Sequence, residues 1–169
     1  CMGAHTHMTF EELYQTHFAD VFRFALWLGR DRSEAEDVTS ETFVRAWARR
    51  DRLRTETLKA YLLAIARNVY LSNTKKRTNH HPLSEEMPDS APDPQRQTSA
   101  RMELDHVTDA ITKLPETDRL ALVLRTEHAL SYAEIARVLG ISEGAARVKI
   151  HRARRRLLDD AMNRNGGIP

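Results

Sequence analysis

The chain has 169 residues, 41% of them hydrophobic and 30% charged, and its 26 Lys and Arg against 24 Asp and Glu leave a formal net charge of +2. That length allows one domain or two small ones, and so small a net charge means that any nucleic-acid surface has to come from segregated charge. The only cysteine, Cys1, excludes an intramolecular disulfide and makes a reducing, cytoplasmic location the expectation, while no apolar run approaches the roughly 18 residues that span a bilayer, so no membrane insertion is expected.

Residues 1–7, CMGAHTH, read as a non-native leader before Met8; Cys1, His5 and His7 sit in a tail rather than in a metal site. From there helix signals are dense and strand signals nearly absent. Thr9-Phe10-Glu11-Glu12 is a capping box, and Phe10, Leu13, Tyr14, His17, Phe18, Val21, Phe22, Ala25 and Leu28 then follow helical spacing up to Gly29. Ser33-Glu34-Ala35-Glu36 reads as a second capping box, opening a helix to about Arg49. A polar connection, Arg50 to Thr57, leads to a third helix from about Leu58 to Lys76, with Leu58, Leu62, Ile65 and Val69 on one stripe and Tyr61 beside it. Three such faces close one small core.

Asn79 to Ser99 differs in kind. It holds Pro82, Pro88, Pro92 and Pro94 and the acids Glu85, Glu86, Asp89 and Asp93, with almost no large apolar side chain. Such a segment buries too little surface to offset chain entropy, so it reads as an extended acidic linker. A second helical unit begins near Ala100, with Leu104, Val107, Ile111 and Leu114 on one stripe, Pro115 at a helix start, and Leu120, Val123 and Leu124 continuing inward.

Ser131 to Arg156, SYAEIARVLGISEGAARVKIHRARRR, is the most specific stretch. Ser131 and Glu134 form a capping box, Ala133, Ile135, Ala136 and Leu139 supply an apolar face, and Gly140 stands where a left-handed cap is needed. Ser142 caps the next helix. Ala145, Val148 and Leu157 are expected on that helix's inner face, with Ile150 and Ala153 beside it, and cations cover its other faces. An amphipathic pair joined by a glycine turn is a helix-turn-helix, which lays its second helix in the DNA major groove.

Charge is segregated to match. Between Thr57 and Ser84 there is no acid, only Lys59, Arg67, Lys75, Lys76 and Arg77; a second basic block runs from Arg147 to Arg156. Two basic surfaces on two helical units suggest two DNA contacts made by one chain. An enzyme is the remote alternative: Glu34, Glu36, Asp37 and Glu41 crowd one helix, but no Glu-x-x-His pair, zinc spacing or phosphate-binding glycine loop accompanies them, and His80-His81 lies in the linker. No catalytic residue, metal or cofactor is expected.

Three blocks, AEDVTSETFVRAW (Ala35 to Trp47), LKAYLLAIARNVYLSNTKKR (Leu58 to Arg77) and LPETDRLALVLRTEHALSYAEIARVLGISEGAARVKIHRARRRL (Leu114 to Leu157), resemble a bacterial RNA polymerase sigma factor of the sigma-70 superfamily, in its extracytoplasmic-function (ECF) group. The resemblance implies an all-α fold of two small domains: residues 8–78 as sigma region 2, 79–99 as linker, 100–162 as sigma region 4 and 163–169 as a tail. It implies a promoter-specificity factor whose partners are core RNA polymerase, promoter DNA and an anti-sigma factor. The polymerase clamp helices of the largest subunit would meet Asp37, Ser40, Glu41 and Arg45; the family usually has Gln at the position of Ser40. Phe43 and Trp47 are read as core. Arg67 and Asn68 would contact the non-template strand of the −10 element, Lys75, Lys76 and Arg77 would track phosphates, and the loop Asp51 to Thr57 would hold an extruded base. Arg147, Lys149, His151 and Arg152 lie along the −35-reading helix, with Arg154, Arg155 and Arg156 on phosphates. The family often has Thr at Ala145 and Ser at Val148. The acidic linker would thread a path otherwise used by RNA. The alternative is an ordinary helix-turn-helix regulator with an N-terminal sensor domain.

Overall fold

The computed structural model describes residues 8–80 and 99–166, which fall into two compact all-helical units; no strand occurs among the described residues. Residues 1–7, 81–98 (with His81, Glu85, Glu86, Asp89 and Asp93, read in sequence as part of a linker) and 167–169 lie outside the described residues.

The first unit is a bundle of α1 (Phe10–Gly29), α2 (Arg32–Ala48) and α3 (Leu58–His80), each packed on the other two. The Thr9–Glu12 capping box forms as read. The second box does not. Asp31 caps α2, its carboxylate accepting from the Glu34 amide at 2.9 Å, so the helix opens before Ser33. The cause lies upstream: α1 ends with Arg30, not Gly29, in the left-handed region at φ 58°, and the chain turns into α2 within two residues. Gly29 serves a different purpose. A Cβ there would meet the Glu34 carboxylate, which would have to move, and lie 3.1 Å from the Tyr70 ring.

Phe24 and Phe43 are fully buried with Leu13, Leu62, Leu63, Val21 and Val38, each large side chain contributing roughly 1.5–3 kcal/mol. Phe10, Tyr14 and Phe18 lie nearer the surface than their spacing suggested. They form an aromatic ladder down α1, in which Tyr14 meets Phe43 at 4.9 Å and Phe10 meets Trp47 edge-on at 5.6 Å. Phe43 and Trp47 thus pack within the unit. The connection at 50–57 contains two 3₁₀ turns, Arg50–Arg52 and Thr55–Thr57.

The second unit comprises α4 (Ser99–Thr112), α5 (Glu116–Thr126), α6 (Tyr132–Leu139) and α7 (Glu143–Asn165). Its core joins Leu114, Leu120, Leu124, Leu130, Ile135, Leu139, Ala146 and Ile150. Pro115 stands at the start of α5, as its cap. The stripe expected on α4 is largely uncovered: Leu104 and Val107 are exposed, and Ala110 is the one buried residue of that helix. Between α5 and α6, Ala129 occupies the left-handed region at φ 54°. The Ser131–Glu134 capping box, left-handed Gly140 and the Ser142 cap all form as read.

The inner face of α7 differs from the expectation. Ala146, Ile150 and Ala153 are buried and Leu157 is half-buried; Ala145 is only half-buried, and Val148 is 54% exposed. Positions 146, 150 and 153 share one side of a helix, and position 148 falls on the opposite side. Here α5 and α6 both lie on the side that Ala146 and Ile150 face, which rotates Val148 outward. Ala133, for the same reason, is exposed on α6.

Candidate nucleic-acid and polymerase interfaces

In the first unit, the outward side of α2 carries Asp37, Ser40 and Arg45, all exposed, with Glu41 half-buried and ion-paired to Arg45 one turn on. The helix repeat puts Val44 in the middle of these polar residues, and it is 64% exposed. An uncovered valine centred among charges marks a surface that suits a partner helix, and only burial identifies it, since in sequence it reads as one more apolar helix residue.

At the end of that face, α2 and α3 leave a cleft of about 320 Å³, lined by Arg45, Ala48 and Arg49 from α2 and Ile65 and Asn68 from α3. Two arginines, two apolar side chains and one amide lining a cleft make a suitable environment for an unstacked base and its phosphates. The structure therefore brings Asn68 together with Arg45, which the sequence assigned to a different surface, and adds Arg49. Ile65, expected in the core stripe, lines this cleft instead. Arg67 is half-buried, while Lys75 and Lys76 are exposed further along α3. Arg77 is turned to Glu34 at the start of α2, so its charge is partly neutralised within the unit. The loop 51–57 presents Asp51, Arg52, Arg54, Thr55 and Glu56 to solvent.

In the second unit, α7 lies across α5 and α6 with Arg147, His151, Arg152, Arg154 and Arg155 exposed. Three of the cations assigned to the −35 element, Arg147, Lys149 and Arg152, have partners within the unit. Asp118, 1% exposed in the first turn of α5, reaches Lys149 at 3.6 Å and Arg152 at 3.8 Å. Lys149 is thereby the least exposed cation of the set, its side chain at 25%, whereas Arg152 stays half exposed. Arg147 is held from two sides: its guanidinium lies 4.5 Å over the Tyr132 ring and pairs with Glu143 at 3.1 Å. Arg125 stacks on the same ring at 4.6 Å while donating to the Leu130 carbonyl at 2.8 Å. An arginine pre-ordered in this way loses less freedom when it forms a two-pronged bond to a guanine edge. Tyr132 and Asp118 carried no signal in sequence, because their roles depend on helices that meet only in the fold. Among the described residues no cluster of three or more His, Cys, Asp or Glu is able to hold a metal ion, and no helix is long and apolar enough to cross a membrane.

Comparison with known proteins divides the chain at the same places. Residues 13–80 match the family model for sigma-70 region 2, and residues 104–157 match that for sigma-70 region 4. Over 152 residues the chain is 32% identical to the ECF RNA polymerase sigma factor SigM of Bacillus subtilis, covering 89% of this chain and 93% of that protein. It is 35% identical over 144 residues to the ECF RNA polymerase sigma factor SigC of Mycobacterium tuberculosis, covering 84% and 77% of the two chains. Among solved structures it is similar to the sigma factor RpoE of Bartonella quintana, crystallised with the anti-sigma factor NepR, at 26% identity and a TM-score of 0.71 over 89% of this chain and 94% of that one.

Proposed function

The chain belongs to the sigma-70 family, in its ECF group, and from that premise we propose how its residues divide the work of promoter recognition. It binds core RNA polymerase and directs promoter-specific transcription initiation. The observation that carries this function is the presence, in one chain and in this order, of region 2 at 13–80 and region 4 at 104–157. A regulator with an N-terminal sensor is not favoured, because the N-terminal unit is itself region 2. The factor contributes recognition and carries no chemistry of its own; it works in the cytoplasm, where polymerase is. An anti-sigma factor is a partner, as it is for the structurally similar RpoE.

Asp37, Ser40 and Glu41 meet the clamp helices of the polymerase, with Val44 as the apolar centre of the contact; charges around such a centre set register and association rate more than affinity. Asn68 and Arg67 receive the unpaired −10 strand, and the cleft between Arg45, Arg49 and Asn68 accommodates a base taken from the stack. Lys75 and Lys76 follow phosphates. On region 4, Arg147 and His151 read base edges of the −35 element, and Arg154 and Arg155 hold phosphates. Lys149 braces the recognition helix through Asp118, and Arg152 is shared between Asp118 and DNA.

Run-off transcription with core polymerase, this protein and a genomic promoter library tests the reading. Specific transcripts are expected with the unaltered chain and none with Asp37→Arg, whose exposed position leaves the fold intact. Normal core binding by that variant removes the clamp assignment. Duplex binding without transcription removes the sigma function.

A further inference from the structure

Val148 is an apolar side chain that the protein itself leaves uncovered. It is the sixth residue of α7, in the half of a recognition helix that reaches base edges. The packing of that helix is completed without it, since Ala146, Ile150 and Ala153 are at most 1% exposed whereas Val148 is 54% exposed. The helix repeat places His151 and Arg152 one turn after it and Gly144 one turn before it. Nothing lies within 4 Å of where a Cβ at Gly144 would stand, so this side of the first two turns is open to close approach.

We propose that Val148 reads the C5-methyl group of a thymine in the −35 element and is a specificity-determining residue of this sigma factor. The proposal rests on the reading of region 4 as the −35 reader. The major-groove edges of the four bases offer hydrogen-bond donors, acceptors and one apolar group, the thymine methyl. An isopropyl group set against a donor or acceptor strips it of water and returns nothing, whereas against a methyl both apolar surfaces leave water together. Valine in a helix holds essentially one χ1 rotamer, so the contact orders almost no side-chain freedom and is made in one place. His151 and Arg152 alongside fix register on base edges or phosphate, and the valine distinguishes the thymine next to them.

The test uses holoenzyme assembled from core polymerase and the full chain, on a promoter it transcribes. Each −35 thymine is replaced in turn by deoxyuridine, which keeps every hydrogen-bonding group and lacks only the methyl. Affinity is expected to fall about three- to fivefold at a single position, the size associated with one buried methyl group. With Val148→Ala, which removes an exposed side chain and leaves a strong helix former, that position becomes indifferent to the substitution while the others keep their behaviour. Three results overturn the proposal: no thymine is sensitive, the same sensitivity persists in Val148→Ala, or the −35 element contains no thymine. Equal binding to a scrambled −35 element overturns the reading of region 4 itself, and the proposal with it.

Discussion

Two residues hold a backbone conformation that their side chains disfavour. Arg30 and Ala129 have φ values of 58° and 54°, where a Cβ crowds the following carbonyl. Each closes a short connection: Arg30 donates its amide to the Leu26 carbonyl at 2.8 Å, and Ala129 precedes the buried Leu130. Ala129→Gly removes the clash at an exposed site and is expected to stabilise the second unit by about 0.5–1 kcal/mol, net of glycine's greater freedom when unfolded; a thermal or denaturant melt reads it. His17 has the opposite character, a titratable ring in a half-buried place on α1. Burial lowers its pKa from 6.5, Lys59 adds to the effect, and Asp20 opposes it. The unfolded chain thus takes up a proton that the folded chain refuses. This contribution is complete above the ordinary value and is lost as pH falls through the lowered one. His17→Gln is expected to narrow the gap between melting temperatures at pH 7.5 and pH 5.

At the scale of the element, the recognition helix is defined by what fastens its back. Asp118 joins it to α5 through Lys149 and Arg152, and the negative charge also sits well in the first turn of α5. Both cations keep access to water, so removing the carboxylate strands neither of them, and the loss is smaller than for a fully buried pair. Asp118→Asn is expected to cost about 1–2 kcal/mol in denaturant unfolding, and much less when Lys149 is already Met. An unchanged midpoint would mean that apolar packing at Ala146, Ile150 and Ala153 holds the helix alone. The neighbouring α4 shows the reverse case: an amphipathic helix with Met102, Leu104 and Val107 all exposed, so its stripe forms without a covering element in the second unit.

For the whole molecule, a net charge of +2 conceals two basic surfaces on separate units. Promoter affinity should therefore fall steeply with salt in spite of near neutrality, because counterion release depends on local phosphate contacts. Lys76→Ala and Arg155→Ala are each expected to reduce the slope of log affinity against log salt by about 0.7–0.9, and the double variant by their sum, since the two residues share no partner. A double variant no worse than either single one would show that one of the surfaces does not touch DNA in the holoenzyme.

Helix positions, the capping boxes at Thr9 and Ser131, the glycine turn at Gly140 and the membership in a family were legible in the chain alone, because each depends on residues within a few positions of one another. Burial was not legible where a helix faces two neighbours. Spacing identifies that α7 has an apolar side, but whether Ala146 or Val148 lies on it depends on the direction from which α5 and α6 approach. The same applies to Asp118 beside Lys149 and to Tyr132 under Arg147, which only packing brings within a few ångströms, and to Asn68, which only packing sets in one cleft with Arg45 and Arg49. Local spacing and capping settle which segments become helices and which chemistry they carry. Packing settles which side of each helix is free to use that chemistry, since the other helices have already taken the space on the remaining sides.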